Sequence, residues 1–377
     1  MSDWLAARAV RATQVLLVEC PGAWALRVST ERAVAQRGWR IAPSPASADV
    51  LIVAGRPGTE LAEVLDRLWE AMPGPRARLD IGAGSDIRTS LDDAAKRLTD
   101  SRAQAEDAAH RADRDPSVEE QHAEMDHAGH EGMDHRDDAA MGHGDDGEVD
   151  HEGMDHGSMD HEGMEMAPDG IPLAEGSEDD RDGLEMDAMP VRLGPVLPHW
   201  PAGLVLDVTL HGDLVVDATA RLLDDNDVRT AGREEHATAK ACDDVAALLD
   251  LAGWPDVATR ARTARDQFLD GRDDTASATL ADVRQGVTAS RLLRWSLRGV
   301  GVLRPDRVRE VGLPEHLAGD CLDRLDGLLD RAGDGTGSPV PVAALGQLVT
   351  GCDLAVARLV AASLGGSFAR AGVSSGA

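Results

Sequence analysis

The sequence predicts a three-part chain: an open α/β domain over residues 1–112, an acidic Met/His-rich linker over 113–188, and an α+β domain over 189–377. Three observations carry this. Short apolar β-rich runs alternate with helical patterns near the start. Apolar periodicity vanishes in the middle. Strand alternation returns at Met189 and gives way to helical periodicity from about residue 237.

In the first part, "QVLLV" (14–18), "WRIAP" (39–43), "ADVLIVAG" (48–55) and "ARLDIGAG" (77–84) read as strands. The unbroken apolar run at 48–55 fits a strand covered on both faces, as in a parallel sheet. A helix is expected over about 22–36. Another should start near Thr59, a possible cap, with Glu60 in its first turn. Leu61, Val64, Leu65, Leu68, Trp69 and Met72 form its apolar face, and Pro73 stops it. Residues 88–112 read as a polar helix leading away from the domain.

In the last part, "LVLDVTL" and "DLVVDA" alternate as strands around an "HGD" turn at 211–213, the pattern of a hairpin. Val257, Ala261, Ala264 and Phe268 make one helical face; Leu280, Val283 and Val287 begin a second, and residues 341–364 a third. The expected domain is thus a small antiparallel hairpin or sheet with a helical bundle.

Charge is confined. The chain's net charge is −30, but residues 101–190 hold 29 acids against five Lys/Arg, and the rest is only mildly acidic. A polyanion of this kind argues against nucleic acid as a partner, because phosphate neutralisation needs a basic face, and the acidic run would also repel an anionic membrane surface. No signal peptide or stretch of membrane-spanning length is evident, which argues against direct membrane insertion. The four cysteines, Cys20, Cys242, Cys321 and Cys352, form no Cys-x-x-Cys pair. They suggest reduced thiols in a cytoplasmic protein, with the last three as small buried hydrophobes. "GAGSD" (82–86) lacks the spacing of a dinucleotide loop, and Asp224-Asp225 and Glu234-Glu235 read as solvated loop acids.

The linker carries the strongest chemical signal. Eight of the 13 His lie between His122 and His161, and seven of the 11 Met between Met125 and Met166. Met-Asp-His recurs at 125–127, 133–135, 154–156 and 159–161, with Val-Asp-His at 149–151. Thioether sulfur selects Cu(I); imidazole suits copper, nickel and zinc. Glycine lets a chain wrap an ion at little steric cost. The candidate ligands are His122, Met125, His127, His130, Met133, His135, Met141, His143, His151, Met154, His156, Met159, His161, Met164 and Met166. Copper is favoured, with zinc or nickel as alternatives. A solvated polyanionic spacer is the competing reading, since such a composition does not bury enough surface to order itself.

Two segments resemble parts of one machine. "WRIAPSPASADVLIVAGRPGTELAEVLDRLWEAMPGPRARLDIGAGS" (39–85) resembles the iron–sulfur small subunit of NADH:quinone oxidoreductase (complex I) and the related hydrogenase small subunits. It shares their "SP…AD" link, "VAG" strand end, amphipathic helix and strand into a Gly-Ser loop. "LGPVLPHWPAGLVLDVTLHGDLVVDA" (193–218) resembles the start of the large hydrogenase-like subunit of complex I. The resemblance implies a flavodoxin-like N-terminal fold, with complex I-like or hydrogenase-like subunits as partners. Through such partners the chain would sit at the inner face of a membrane.

The departures argue against the family's chemistry. Its small subunit holds a four-iron cluster on four thiolates. Where it has an adjacent Cys pair, this chain has Glu19-Cys20; where it has a Cys after the Gly-Ser loop, this chain has Ser85 and Asp86. These are relic cluster positions, and a cluster would need ligands from another chain. A family His near the quinone is replaced by Pro201-Ala202, leaving His199 a few residues earlier as a relic of that region. The family's quinone-site Tyr has no counterpart, since the chain has no Tyr.

A peptide spanning residues 120–166 is expected to bind Cu(I) at micromolar concentration in isothermal titration. Absence of any heat with Cu(I), Ni(II) or Zn(II) would reduce the tract to a spacer.

Overall fold

A computed structural model describes residues 10–112, 188–223, 236–335, 339–366 and 368–369. The linker ligands, 122–166, lie outside the described residues, as do Asp224-Asp225 and Glu234-Glu235.

The N-terminal part is a four-stranded parallel sheet. Its strands are β1 (Gln14–Glu19), β2 (Arg40–Ile41), β3 (Val50–Ala54) and β4 (Ala77–Ile81), in the order β2-β1-β3-β4. This is the doubly wound order that reverses beside β1. Every residue of β3 is buried, which explains its unbroken apolar run. Helix α1 (Trp24–Gln36) follows β1, and α2 (Thr59–Ala71) follows β3, burying Leu61 and Leu65. Gly58, not Thr59, occupies the α2 N-cap; Thr59 is already helical.

The polar helix expected over 88–112 is two helices, α3 (Ile87–Thr99) and α4 (Ser101–Ala112), broken at Asp100. The break has a use. Gln104 on α4 reaches back to the β4 entry, its Oε1 accepting from Arg76 N at 2.9 Å and its Nε2 donating to Arg76 O at 3.0 Å. One side chain thus mimics a neighbouring strand beside the open sheet edge.

The C-terminal part opens with an antiparallel sheet of β5 (Ala188–Leu193), β6 (Leu204–His211) and β7 (Leu214–Leu222), ordered β5-β6-β7. His211 pairs with Leu214, so the expected hairpin turn is Gly212-Asp213. Helices follow: α5 (Ala237–Leu251), α6 (Pro255–Leu269), α7 (Asp273–Ala289), α8 (Arg291–Leu297), α9 (Pro305–Glu310) and α10 (Cys321–Asp334). The amphipathic stretch 341–364 is split at residues 350–353 into α11 (Val342–Val349) and α12 (Leu354–Ser363). Cys242 and Cys321 are buried and Cys352 is half-buried. Burial pushes the Cys242 thiol up to about 12, as expected of an inert core thiol.

The two parts pack as one compact unit. Strand β6 explains how. Leu204, Leu206, Val208 and Leu210 face the core shared with α11 and α12. Val205, on the other face, packs with Leu16, Val18, Leu51 and Leu61 of the α/β domain. The "LVL" start of β6 is apolar throughout because both its faces are covered. At the strand's entrance Gly203 has φ +71°, and a Cβ there would lie 2.8 Å from Pro21 Cγ.

Gly203→Ala therefore forces strain and a clash at the junction. We expect a loss of about 1–3 kcal/mol in chemical denaturation, with the N-terminal and C-terminal parts still unfolding together.

Candidate functional site

Open α/β sheets place ligands at the carboxyl ends of their strands. In this chain that edge is formed by Cys20 after β1, Gly55 after β3 and the 82–86 loop after β4. Each predicted residue there has a local task.

Cys20 is fully buried in the apolar cluster that joins β1, β3 and α2 to Val205 and Leu223. Its backbone N donates to Ala54 O, and its O accepts from Ala23 N, both at 2.9 Å. Gly55 lies over it with φ +106°; an added Cβ would sit 2.6 Å from Ala23 Cβ and 2.9 Å from Cys20 Cβ. Ser85 and Asp86 are exposed. Ser85 Oγ accepts from Gly82 N at 3.1 Å, closing the loop. The Asp86 carboxylate caps α3, accepting from Arg88 N at 3.1 Å, Thr89 N at 3.3 Å and Thr89 Oγ1 at 2.7 Å. Those bonds, the Thr89 hydroxyl's first, hold its pKa below the usual carboxylate range. One buried thiol, a loop hydroxyl and a helix-capping carboxylate do not fit a four-iron cluster, which needs four converging thiolates. Among the described residues, no three His, Cys, Asp or Glu side chains gather to hold a metal.

What stands between this edge and the helices is a charge network. Arg27 on α1 meets Glu19 at 3.0 Å, Glu31 at 2.6 Å, and Asp243 of α5. Arg265 of α6, only 1% exposed, reaches Asp243 at 2.6 Å and Glu31 at 3.1 Å. Trp24 Nε1 adds a hydrogen bond to Asp243 at 2.8 Å. Burial pushes the Asp243 carboxyl up, but Arg27 and Arg265 outweigh it and hold it far below its ordinary value. Burial likewise opposes charge on Arg27, and Asp243, Glu19 and Glu31 overcome it.

His199 sits at the rim of this network. Its Nδ1 lies 3.6 Å from Asp250, which also accepts from Arg262. Burial lowers its pKa from 6.5, with Arg262 and Arg358 adding to that shift against Asp250, which favours the neutral imidazole. Its φ of 58° is the one left-handed non-glycine conformation among the described residues. Trp200 turns elsewhere, donating from Nε1 to Leu204 O at 2.7 Å and packing against the β6 core.

Sequence reasoning missed the network. Arg27, Glu31, Asp243 and Arg265 belong to three helices, and their partners lie up to 234 residues apart. The available signal was the Asp243-Asp244 pair set between Cys242 and the apolar run that starts at Val245.

Comparison with known proteins is local. Over 40 residues the chain is 50% identical to NADH-quinone oxidoreductase subunit 6 of Thermus thermophilus, and equally to an NADH-quinone oxidoreductase subunit from a second strain of that organism. The shared stretch is 11% of this chain and 22% of each relative, so the chain spans about a fifth of the length of the curated relatives it matches. No family model and no solved structure matches. The similarity supports a relation to complex I over that stretch; the large-subunit resemblance of 193–218 rests on its sequence pattern.

Asp243→Asn leaves the buried guanidinium of Arg265 and the half-buried one of Arg27 short of a counter-charge, and a loss of about 3 kcal/mol is expected in urea denaturation. The depressed Asp243 carboxyl stabilises the fold above its ordinary value of 3.8. That contribution is lost as pH falls below this point, so acid should destabilise the native protein more steeply than the Asn variant.

Proposed function

We propose that this chain is a non-catalytic structural or assembly subunit related to NADH:quinone oxidoreductase or membrane-bound hydrogenase complexes. The observation that carries the reading is the closure of the sheet's carboxyl edge by the chain's own second domain. Arg27, Glu31, Asp243 and Arg265 lie between α1 and the C-terminal helices, and Cys20 is sealed under Gly55. In the resembled family, separate small and large subunits dock on each other. Joining both in one chain, without the thiolates for a cluster, suits a protein that holds a shape rather than carries electrons. Its partners would be complex I-like or hydrogenase-like subunits.

The linker adds a metal function to this reading. Its Met-Asp-His repeats would bind copper in several exchanging sites, with zinc or nickel as weaker claimants. The same density of His and Met supports a second reading, a metal buffer or metallochaperone with the folded parts as scaffold. A cluster completed by another chain is the least supported, because Cys20 is buried and Ser85 and Asp86 are not thiolates.

Isolation of the tagged chain from its own host, with mass spectrometry of what accompanies it, decides among these. Complex I-like or hydrogenase-like membrane subunits are expected. Recovery of the chain alone with bound copper would move it to metal buffering. A brown preparation containing iron and sulfide would overturn the non-catalytic reading.

A further inference from the structure

Residues 291–309 run against the chain's acidity. They hold six Arg, at 291, 294, 298, 304, 307 and 309, and one acid, Asp306. The same stretch exposes large apolar side chains: Leu292 is 62% exposed, Trp295 76% and Val302 57%.

The display is rigid. Leu292 and Trp295 are three residues apart on α8 and share a side. Leu293 and Leu297 are buried in the helical core and set the rotation of that helix. Ser290 Oγ caps it, accepting from Leu293 N at 3.2 Å. The following loop is held as firmly. The Asp320 carboxylate accepts from Gly299 N at 2.8 Å. Buried Arg324 donates to Gly319 O and to Gly301 O, both at 2.7 Å. Leu303 and Gly319 exchange backbone bonds at 2.8 and 2.9 Å. Arg307 pairs with Glu310 at 3.2 Å. Among the described residues, Arg291, Arg298 and Arg304 have no ion pair.

An indole held in water on a firm shelf, with arginines on both sides of it in the chain, has a specific use. Trp combines an apolar body with one polar N–H and favours the membrane–water interface. Guanidinium binds phosphate with two parallel donors, and clustered cations are drawn to anionic leaflets. A protein partner would need a larger contact, about 800 Å² a side, with a rim of mixed polarity. Three apolar side chains among cations are enough for shallow interfacial anchoring.

We propose that residues 291–304 form a peripheral docking surface for an anionic lipid bilayer. Leu292, Trp295 and Val302 enter the headgroup boundary, and Arg291, Arg298 and Arg304 meet lipid phosphates. No helix among the described residues is long and apolar enough to cross a membrane, so the contact is a surface one. It is independent of the assembly role proposed above.

Co-sedimentation of the full chain with vesicles tests this, using phosphatidylglycerol and phosphatidylcholine in equal parts against phosphatidylcholine alone, at low salt. Binding is expected only to the anionic vesicles and should fall as salt is raised. Trp295→Ser should weaken it by about tenfold or more, and Arg298→Glu with Arg304→Glu should abolish it. All three positions are exposed, so unchanged circular dichroism and melting are expected of the variants. Equal binding to neutral vesicles, wild-type binding by Trp295→Ser, or no binding to either vesicle would overturn the proposal.

Discussion

The carboxylate of Asp243 holds the molecule's two parts together. It accepts from Arg27 of the α/β domain, from Arg265 of α6 and from the indole of Trp24. Each guanidinium is in turn shared with Glu31. Charges removed from water this far are tolerable only when every one is paired, since desolvation opposes each alone. The arrangement therefore contributes orientation more than net stability. It accepts one placement of α1 against α5 and α6, because any other leaves a buried ion without its partner.

That placement has consequences for chemistry. The carboxyl edge of an open parallel sheet is where related folds keep ligands, and in this chain it is a junction. Pro21 meets Gly203, Val205 and Leu223 enter the β1–β3 core, and Gly55 presses on Cys20. Burial of this kind removes a thiol's access, the opposite of what a reactive or ligating cysteine needs. Ser85 and Asp86 remain outside the junction and serve the start of α3. The reading as a structural subunit grows from this exchange of a ligand edge for an internal interface.

Much of this was legible in the residues. The parallel strands, the α2 face, the hairpin at Gly212-Asp213 and the helical C-terminal part follow from local periodicity, which depends only on neighbours in sequence. The errors were local contests between near-equal preferences. Gly58 took the N-cap that Thr59 could have filled. The helical patterns at 88–112 and 341–364 each hid a break. At Asp100 the residue's own carboxylate accepts from Arg102 N and Ala103 N and starts a new helix. At 350–353 the chain turns to pair Leu214 with Asp353, a contact no window of neighbours contains.

By itself the sequence determined where most strand and helical segments lie, where charge concentrates, and where His and Met gather, because these depend on composition and short-range spacing. Tertiary structure alone decided that Cys20 is sealed, that His199 turns to Asp250, and that Asp243 anchors the two parts. The last of these depends on groups more than 200 residues apart meeting in a low-dielectric interior, where the energy of a charge is set by its partners and not by its neighbours in the chain.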